Sequence, residues 1–435
     1  MPLAGLPRIP LFVKTVAGTH RLTSQQGTCM HHHLTFTAMA MAMGCALLLA
    51  GCGGSSDDDA KPPVTVQPPP SASTLDVLTT TARGMESVVY FGGSAYLSLS
   101  NSKTEGSAVL KATLPLTRSS SWTPVSQGAC AMGKQGDFIV RAPKLKMVGQ
   151  DMWLMQPWAD TPEAKNESAT CTLMAGSGSF VPRDQDLRVC TGGFCETLSM
   201  QDIKLHGNRL YSNPGAGINL FTSNNGGNSW TVIRGQKASM ICTPTKFHVL
   251  GDRVLVGGEC PLDMAFVEAY QLNADGSALA SQAKLALNLP ALENRNVQFI
   301  ESVADTKRVF IGVEGGLLRS EDNGVSFKFV IQEPLSGSKT YPYIQSFLPL
   351  KGKPDSMVIG GFDKATQFPY LAWSKDGGTT WTDISKLAPN YGKAPAGGAA
   401  AMITGISEDP QGRIIVTMNE LGDGQGKLML LTLGN

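Results

Sequence analysis

From about Leu75 onward, apolar and polar positions recur in one arrangement. Each unit opens with an apolar strand, turns at Gly or Asp, runs through a β-rich second strand, crosses a variable loop, and ends on a third strand leading into a Gly/Asn/Asp turn. The second strands read AYLSLS, DMWLMQ, RLYS, RVLVGG, RVFIGV, SMVIGG and RIIVTM. Their central turns fall near Gly92, Gly149, Gly207, Gly251, Asp305, Pro354 and Gln411, a spacing of about 53 residues that suits a four-stranded propeller blade better than a solenoid coil. The pattern predicts an all-β chain forming a seven-bladed β-propeller, with a six- or eight-bladed ring as the alternative. The seventh unit supplies three strands, at 402–407, 413–418 and 427–433, while residues 75–81 (LDVLTTT) precede the first. Pairing that leading segment onto the last blade is expected to close the ring and hide its sheet edges.

Composition agrees with this architecture. Of 435 residues only 16% are charged and 48 are glycine, a balance suited to short strands and tight turns. Residues 1–51 hold Arg8, Lys14 and Arg21 but no acid, so of 36 basic and 35 acidic side chains 33 and 35 remain beyond them. That near-neutral remainder gives no electrostatic basis for nucleic-acid binding.

The amino-terminal region reads as an address. Residues 36–50 are apolar for about the length of a secretory core and lead into Leu49, Ala50, Gly51 and Cys52. This resembles the lipobox of bacterial lipoproteins, which implies cleavage before Cys52 and acylation of that cysteine, a lipid anchor to the membrane. Gly53 after the cysteine implies the outer membrane, facing either the periplasm or the cell exterior. Residues 1–51 then form a leader and signal peptide, with translation starting at Met1 or Met30. Residues 52–74, with an acidic run and five prolines, form a flexible tether, and residues 75–435 the propeller.

Three units carry a sharper motif. SNNGGNSW at 223–230, SEDNGVSF at 320–327 and SKDGGTTW at 374–381 resemble the Asp-box, SxDxGxTW, or bacterial neuraminidase repeat, of sialidase-superfamily-like propellers. The resemblance implies structural roles for Ser223, Asn225, Gly227, Trp230, Ser320, Asp322, Gly324, Phe327, Ser374, Asp376, Gly378 and Trp381. Glycine supplies positive φ, Asp or Asn caps backbone N–H groups, and the aromatic ring packs between blades. Six cysteines follow the anchor, an even number that in an exported chain points to disulfides. Cys242 and Cys260 sit symmetrically about Gly251, Cys190 and Cys195 close the loop CTGGFC, and Cys130 remains for Cys171. With only His206 and His248 beyond the leader, no metal site is expected, and no cofactor.

Two faces are distinguishable. Arg209, Arg253, Arg308 and Arg413 share one register near the motif-bearing turns and are expected to pair with turn carboxylates. At the other end the second strands finish on Glu259, Glu314, Asp363 and Glu420, which with Trp158 and Phe362 form a candidate acidic, aromatic mouth for a sugar or peptide. Sialidases require an Arg-Ile-Pro motif near the substrate, and the only such triplet, at residues 8–10, lies upstream of the cleavage point. Other propellers with this repeat, among them sortilin-type receptors and photosystem assembly factors, bind proteins. The reading is therefore a membrane-tethered, non-catalytic binding or assembly module for a protein or glycan, with no catalytic residue assigned. The alternative is a surface glycoside hydrolase of the sialidase-like superfamily.

Overall fold

A computed structural model describes residues 72–131, 143–155, 170–174, 177–183, 188–191, 194–197, 200–214, 220–233, 243–260, 264–293, 295–333, 342–389, 391–392, 401–420 and 424–434. The alternating patterns that predicted strands give strands. After β1 (Thr74–Thr81), blade one comprises β2 (Met85–Phe91), β3 (Ser94–Leu99), β4 (Ala108–Thr113) and β5 (Thr123–Val125). Blade two comprises β6 (Lys144–Val148), β7 (Asp151–Met155), β8 (Thr170–Leu173) and β9 (Val181–Pro182). A two-stranded ribbon, β10 (Arg188–Thr191) with β11 (Phe194–Thr197), precedes blade three: β12 (Met200–His206), β13 (Arg209–Pro214), β14 (Phe221–Ser223) and β15 (Thr231–Val232). Blade four has β16 (Thr243–Leu250), β17 (Arg253–Cys260) and β18 (Met264–Gln271). Blade five has β19 (Val297–Ser302), β20 (Val309–Val313), β21 (Gly316–Ser320) and β22 (Lys328–Gln332). Blade six has β23 (Pro342–Pro349), β24 (Met357–Asp363), β25 (Phe368–Ser374) and β26 (Thr382–Asp383). Blade seven runs β27 (Ala401–Glu408), β28 (Ile414–Glu420) and β29 (Gln425–Thr432), and β1 pairs antiparallel with β29 as its fourth strand.

The innermost strands touch in the cyclic order β2, β6, β12, β16, β19, β23, β27 and back to β2, so the chain is a closed seven-bladed propeller. The core is divided accordingly. Seven apolar clusters each fill one blade-to-blade interface, from Tyr96, Val109, Leu145 and Leu154 between blades one and two to Leu78, Val88, Leu97 and Leu428 between seven and one. Second strands such as β20 (VFIGV) are buried throughout because both their faces meet a neighbouring sheet.

Three corners between third and fourth strands share one hydrogen-bond set. Gly227, Gly324 and Gly378 donate their N–H groups to Ser223, Ser320 and Ser374 at 3.0, 2.9 and 2.9 Å. Asn225, Asp322 and Asp376 accept from the N–H groups of Ser229, Ser326 and Thr380 at 3.0, 2.9 and 2.9 Å. Hydrogen bonds from Thr380, its hydroxyl first, hold the Asp376 carboxyl down at about 2. Gly378 needs to be glycine twice over: its φ is +78°, and a Cβ there would lie 2.7 Å from Phe310 of the preceding blade. Trp230 likewise crosses a blade interface, meeting Trp153 edge-on at 6.3 Å and donating to the Arg183 carbonyl at 3.1 Å.

The arginines of the shared register brace this lower side. Arg209 pairs with Asp275 at 3.3 Å and Arg308 with Asp355 at 2.8 Å, each on the following blade. Arg253 donates to the Asn323 carbonyl, and Arg413 pairs with Asp409 at 2.6 Å while donating to the Leu116 carbonyl. One disulfide is described, Cys130–Cys171, joining the end of blade one to the third strand of blade two. For the other two expected pairs, the register of β10 and β11 sets Cys190 opposite Cys195, and Cys242 lies outside the described residues. Cys52 and the leader and tether through residue 71 also lie outside them. Among the described residues, no helix is long and apolar enough to cross a membrane.

Candidate functional site: the axial channel

The innermost strands share a local defect that aims side chains at the axis. In β2, β12, β16, β19, β23 and β27 the pairing with the second strand slips by one residue, leaving one extra residue per strand. Such a bulge twists the strand and re-aims the inserted side chain. The extra residues include Gln298, Gln345 and Thr404, and Glu86 with Ser87 oppose the single Ser98. All five line a channel cavity of about 340 Å³, together with Lys144, Lys146, Asp202 and Lys246. The bulges also sew blades together. Ser87 accepts the Leu145 N–H at 2.7 Å, Gln345 donates to the Ile403 carbonyl at 3.0 Å, and Thr404 donates to the Met85 carbonyl at 2.7 Å.

Blades two to five carry a network of part-buried charge centred on buried Asp202. Lys146 Nζ lies 2.6 Å from Asp202 Oδ1, and Lys204 Nζ lies 2.7 Å from Glu301 Oε1 and 3.7 Å from Asp202 Oδ2. Lys204 also donates to the Ile300 carbonyl at 2.9 Å and lies 2.8 Å from His248 Nδ1, so its three donors are all occupied. That contact needs a lone pair on Nδ1, which places the imidazole proton on Nε2, facing the Ser302 hydroxyl at 2.9 Å.

Burial and pairing set the protonation states. Burial pushes the Asp202 carboxyl up, but the ammonium groups of Lys146 and Lys204 outweigh it and hold it well below the usual carboxylate range. Glu301 is treated alike, with Lys204 overcoming the effect of burial. His248 is driven down to about 3 by burial and then by Lys204, so the ring is neutral. Burial, with Lys144 adding repulsion, lowers Lys246 to about 8. Glu86 is raised by burial, against the pull of Lys144 and Lys246.

The acids at the second-strand ends lie at the same end of the ring as the bulges, since Val297 pairs with Val313, Pro342 with Asp363, and Ala401 with Glu420. Three of them serve their own blade or the next. Asp363 caps its hairpin by accepting from Ala365 and Thr366 at 2.9 and 2.8 Å, and lines a separate cavity of about 170 Å³ with Tyr370 and Tyr391. Glu420 pairs with Lys427. Glu314 is buried within 3.5 Å of Lys364 and 3.4 Å of Asn296. Phe362 stacks on Tyr343 with centroids 5.0 Å apart, Glu259 is exposed at the end of β17, and Trp158 lies outside the described residues. Among the described residues, no set of three His, Cys, Asp or Glu side chains converges as a metal site.

Sequence reasoning passed over the channel charges. Their signal was the first strand of each unit, KLK in β6, DIK in β12 and KFH in β16, where lysines alternate with the apolar residues of a strand expected to be innermost.

No family model and no curated protein matches this chain. Solved structures do. U3-55K aligns with a TM-score of 0.51 and 10% identity over 83% of this chain and 98% of that one. YCF48 from Cyanidioschyzon merolae aligns at 0.49 and 11% over 83% and 99%. YCF48 bound to D1 peptide aligns at 0.49 and 14% over 83% and 96%. At such identities the likeness is one of fold, the propeller ring itself.

Proposed function

We propose that this chain is a non-catalytic binding or assembly module, held at the outer membrane by acyl chains on Cys52, which presents the bulged end of its axial channel to a partner. In this reading the three Ser-x-Asp/Asn-x-Gly corners are Asp-boxes with a purely structural role. The observation that carries it is the state of the channel carboxylates. Asp202 and Glu301 are neutralised by lysine Nζ atoms at 2.6 and 2.7 Å and held ionised, so neither is a proton-donating acid. Glu86 is raised, but the charges acting on it are Lys144 and Lys246, not a second carboxylate. Glycoside hydrolysis needs a protonated acid and a free carboxylate flanking the same bond, and the two ionised carboxylates of this channel are each engaged by a lysine ammonium. A rigid ring whose variable loops surround a polar channel suits recognition.

The test compares affinity capture on the intact chain with capture on Lys146→Met, alongside a glycan array and labelling with an alkyne analogue of palmitate. A stoichiometric protein or glycan retained by the wild type and lost with Lys146→Met is the expected result, with the label absent from Cys52→Ala. Turnover of a sugar overturns the non-catalytic reading, and label persisting in Cys52→Ala overturns the anchor.

A further inference from the structure

We propose that the channel binds a ligand carrying a single carboxylate, seated between Lys144 and Lys246. This rests on the binding-module reading and names the chemistry its channel selects. Four lysines, at 144, 146, 204 and 246, face the channel network against three carboxylates, Glu86, Asp202 and Glu301. Lys204 has spent its three donors, and Lys146 is in direct contact with Asp202. Among the described residues, no carboxylate lies within ion-pair distance of Lys144 or Lys246.

The position of these two lysines makes that surplus directional. Lys246 is on blade four and Glu86 on blade one, three places apart in a ring of seven and so on opposite sides of the axis. Lys144, on blade two, acts electrostatically on both. A partly buried ammonium without a counter-ion is costly, and Lys246 releases its proton more readily than an ordinary lysine for that reason. An incoming anion relieves this cost, whereas a neutral ligand does not. With all three carboxyls ionised the balance admits one negative charge. A dianion such as phosphate would bring its second charge up to Glu86, which a monoanion avoids. The cavity, about 340 Å³, is at the small end of ligand sites and takes a small organic acid or the end of an extended peptide, not a folded domain.

The experiment measures acylation of individual lysines by a small amine-reactive reagent at pH 8, read by mass spectrometry on the full chain in detergent. The probes are acetate, a short peptide with a free terminal carboxylate, the same peptide as its amide, and inorganic phosphate, all against chloride at equal ionic strength. A bound carboxylate raises the Lys246 pKa, and at pH 8 one unit of rise from about 8 cuts the free amine from about a half to about a tenth, slowing its acylation roughly fivefold. Exposed Lys328 is the control and should not change. Protection by acetate and by the peptide acid but not by the amide supports the proposal for either source, and protection by the peptide acid alone assigns a chain end. Equal rates in carboxylate and chloride, or stronger protection by phosphate, overturn it.

Lys246→Met serves as the second measurement. Removing a desolvated charge should raise the melting temperature while abolishing the rise that carboxylate gives the wild type; a carboxylate-induced rise that survives in the variant sinks the site. Partner capture that depends on Lys146 but shows no carboxylate protection of Lys246 removes this inference and leaves the binding module standing. Carboxylate protection without any macromolecular partner does the reverse.

Discussion

His248 shows how one side chain acquires a function from its neighbours. In the sequence it registers only as one of two histidines too few for zinc. In the ring it lies between Lys204 Nζ at 2.8 Å and Ser302 Oγ at 2.9 Å, neutral and nearly buried. Its folded pKa is depressed from 6.5 to about 3, so between those values the unfolded chain binds a proton that the folded chain refuses. Stability contributed by the neutral ring is therefore complete above about 6.5 and is lost as pH falls towards 3, at up to about 1.4 kcal/mol per pH unit. Asp202 adds to the loss in the same direction, but only below its ordinary value of 3.8. Denaturant midpoints measured from pH 7 to pH 4.5 should fall steadily for the wild type. For His248→Gln, which keeps an acceptor for Lys204 and a donor for Ser302, the slope above pH 5 should largely vanish. An unchanged slope would mean that the acid sensitivity arises elsewhere.

At the scale of strands and turns, what the sequence discloses depends on whether a feature is written in contiguous residues. The three corners are legible because serine, Asp or Asn, and glycine lie within five positions and bond one another. The bulges are not, because each is a mismatch between two strands, and no single strand records it. A trace does survive in the partner. The glycine-rich ends of RVLVGG, RVFIGV and SMVIGG lie beside the slipped positions, where neighbouring strands leave no room for a Cβ, through backbone at Gly361 and through side chains at Gly312 and Gly360. A Cβ on Gly361 would stand 1.8 Å from the Tyr343 carbonyl oxygen, and one on Gly312 would stand 2.1 Å from the Phe299 ring. Gly361→Ala should cost about 1–3 kcal/mol or more, since backbone must move, and should displace the Gln345 side chain that the bulge projects. Thermal melts together with the amide shifts of residues 343–346 would check this; a variant as stable as the wild type with unmoved shifts would argue that the slip in β23 is not held by glycine. The same reasoning explains why the acids at the second-strand ends suggested a mouth. Their shared position was readable, whereas their commitments to Lys427, Lys364 and the Ala365–Thr366 turn depend on neighbours outside the strand.

The whole molecule depends on one long-range pairing. Seven interfaces are packed alike, but the one between blades seven and one is made by residues more than 300 positions apart, including Thr404 bonded to Met85 and Met85 bonded to Asn419. β1 secures it. Thr74–Thr81 pairs with β29 along its length, Leu78 enters the cluster with Val88, Leu97 and Leu428, and Leu75 and Val77 pack against the cluster of blades six and seven. Without β1, β29 becomes an open edge with unpaired N–H and C=O groups above exposed leucines, a template for a second chain. Deleting residues 72–82 should therefore lower the melting temperature by several degrees and add concentration-dependent association that the full chain does not show, as read by light scattering after size exclusion. A synthetic peptide TLDVLTTT added in trans should compete for the same edge and reverse that association, because β29 of blade seven, which receives it, is still held by β28 and by the neighbouring blades. A deletion variant that melts like the full chain and associates no more than it does would show that the ring closes without β1.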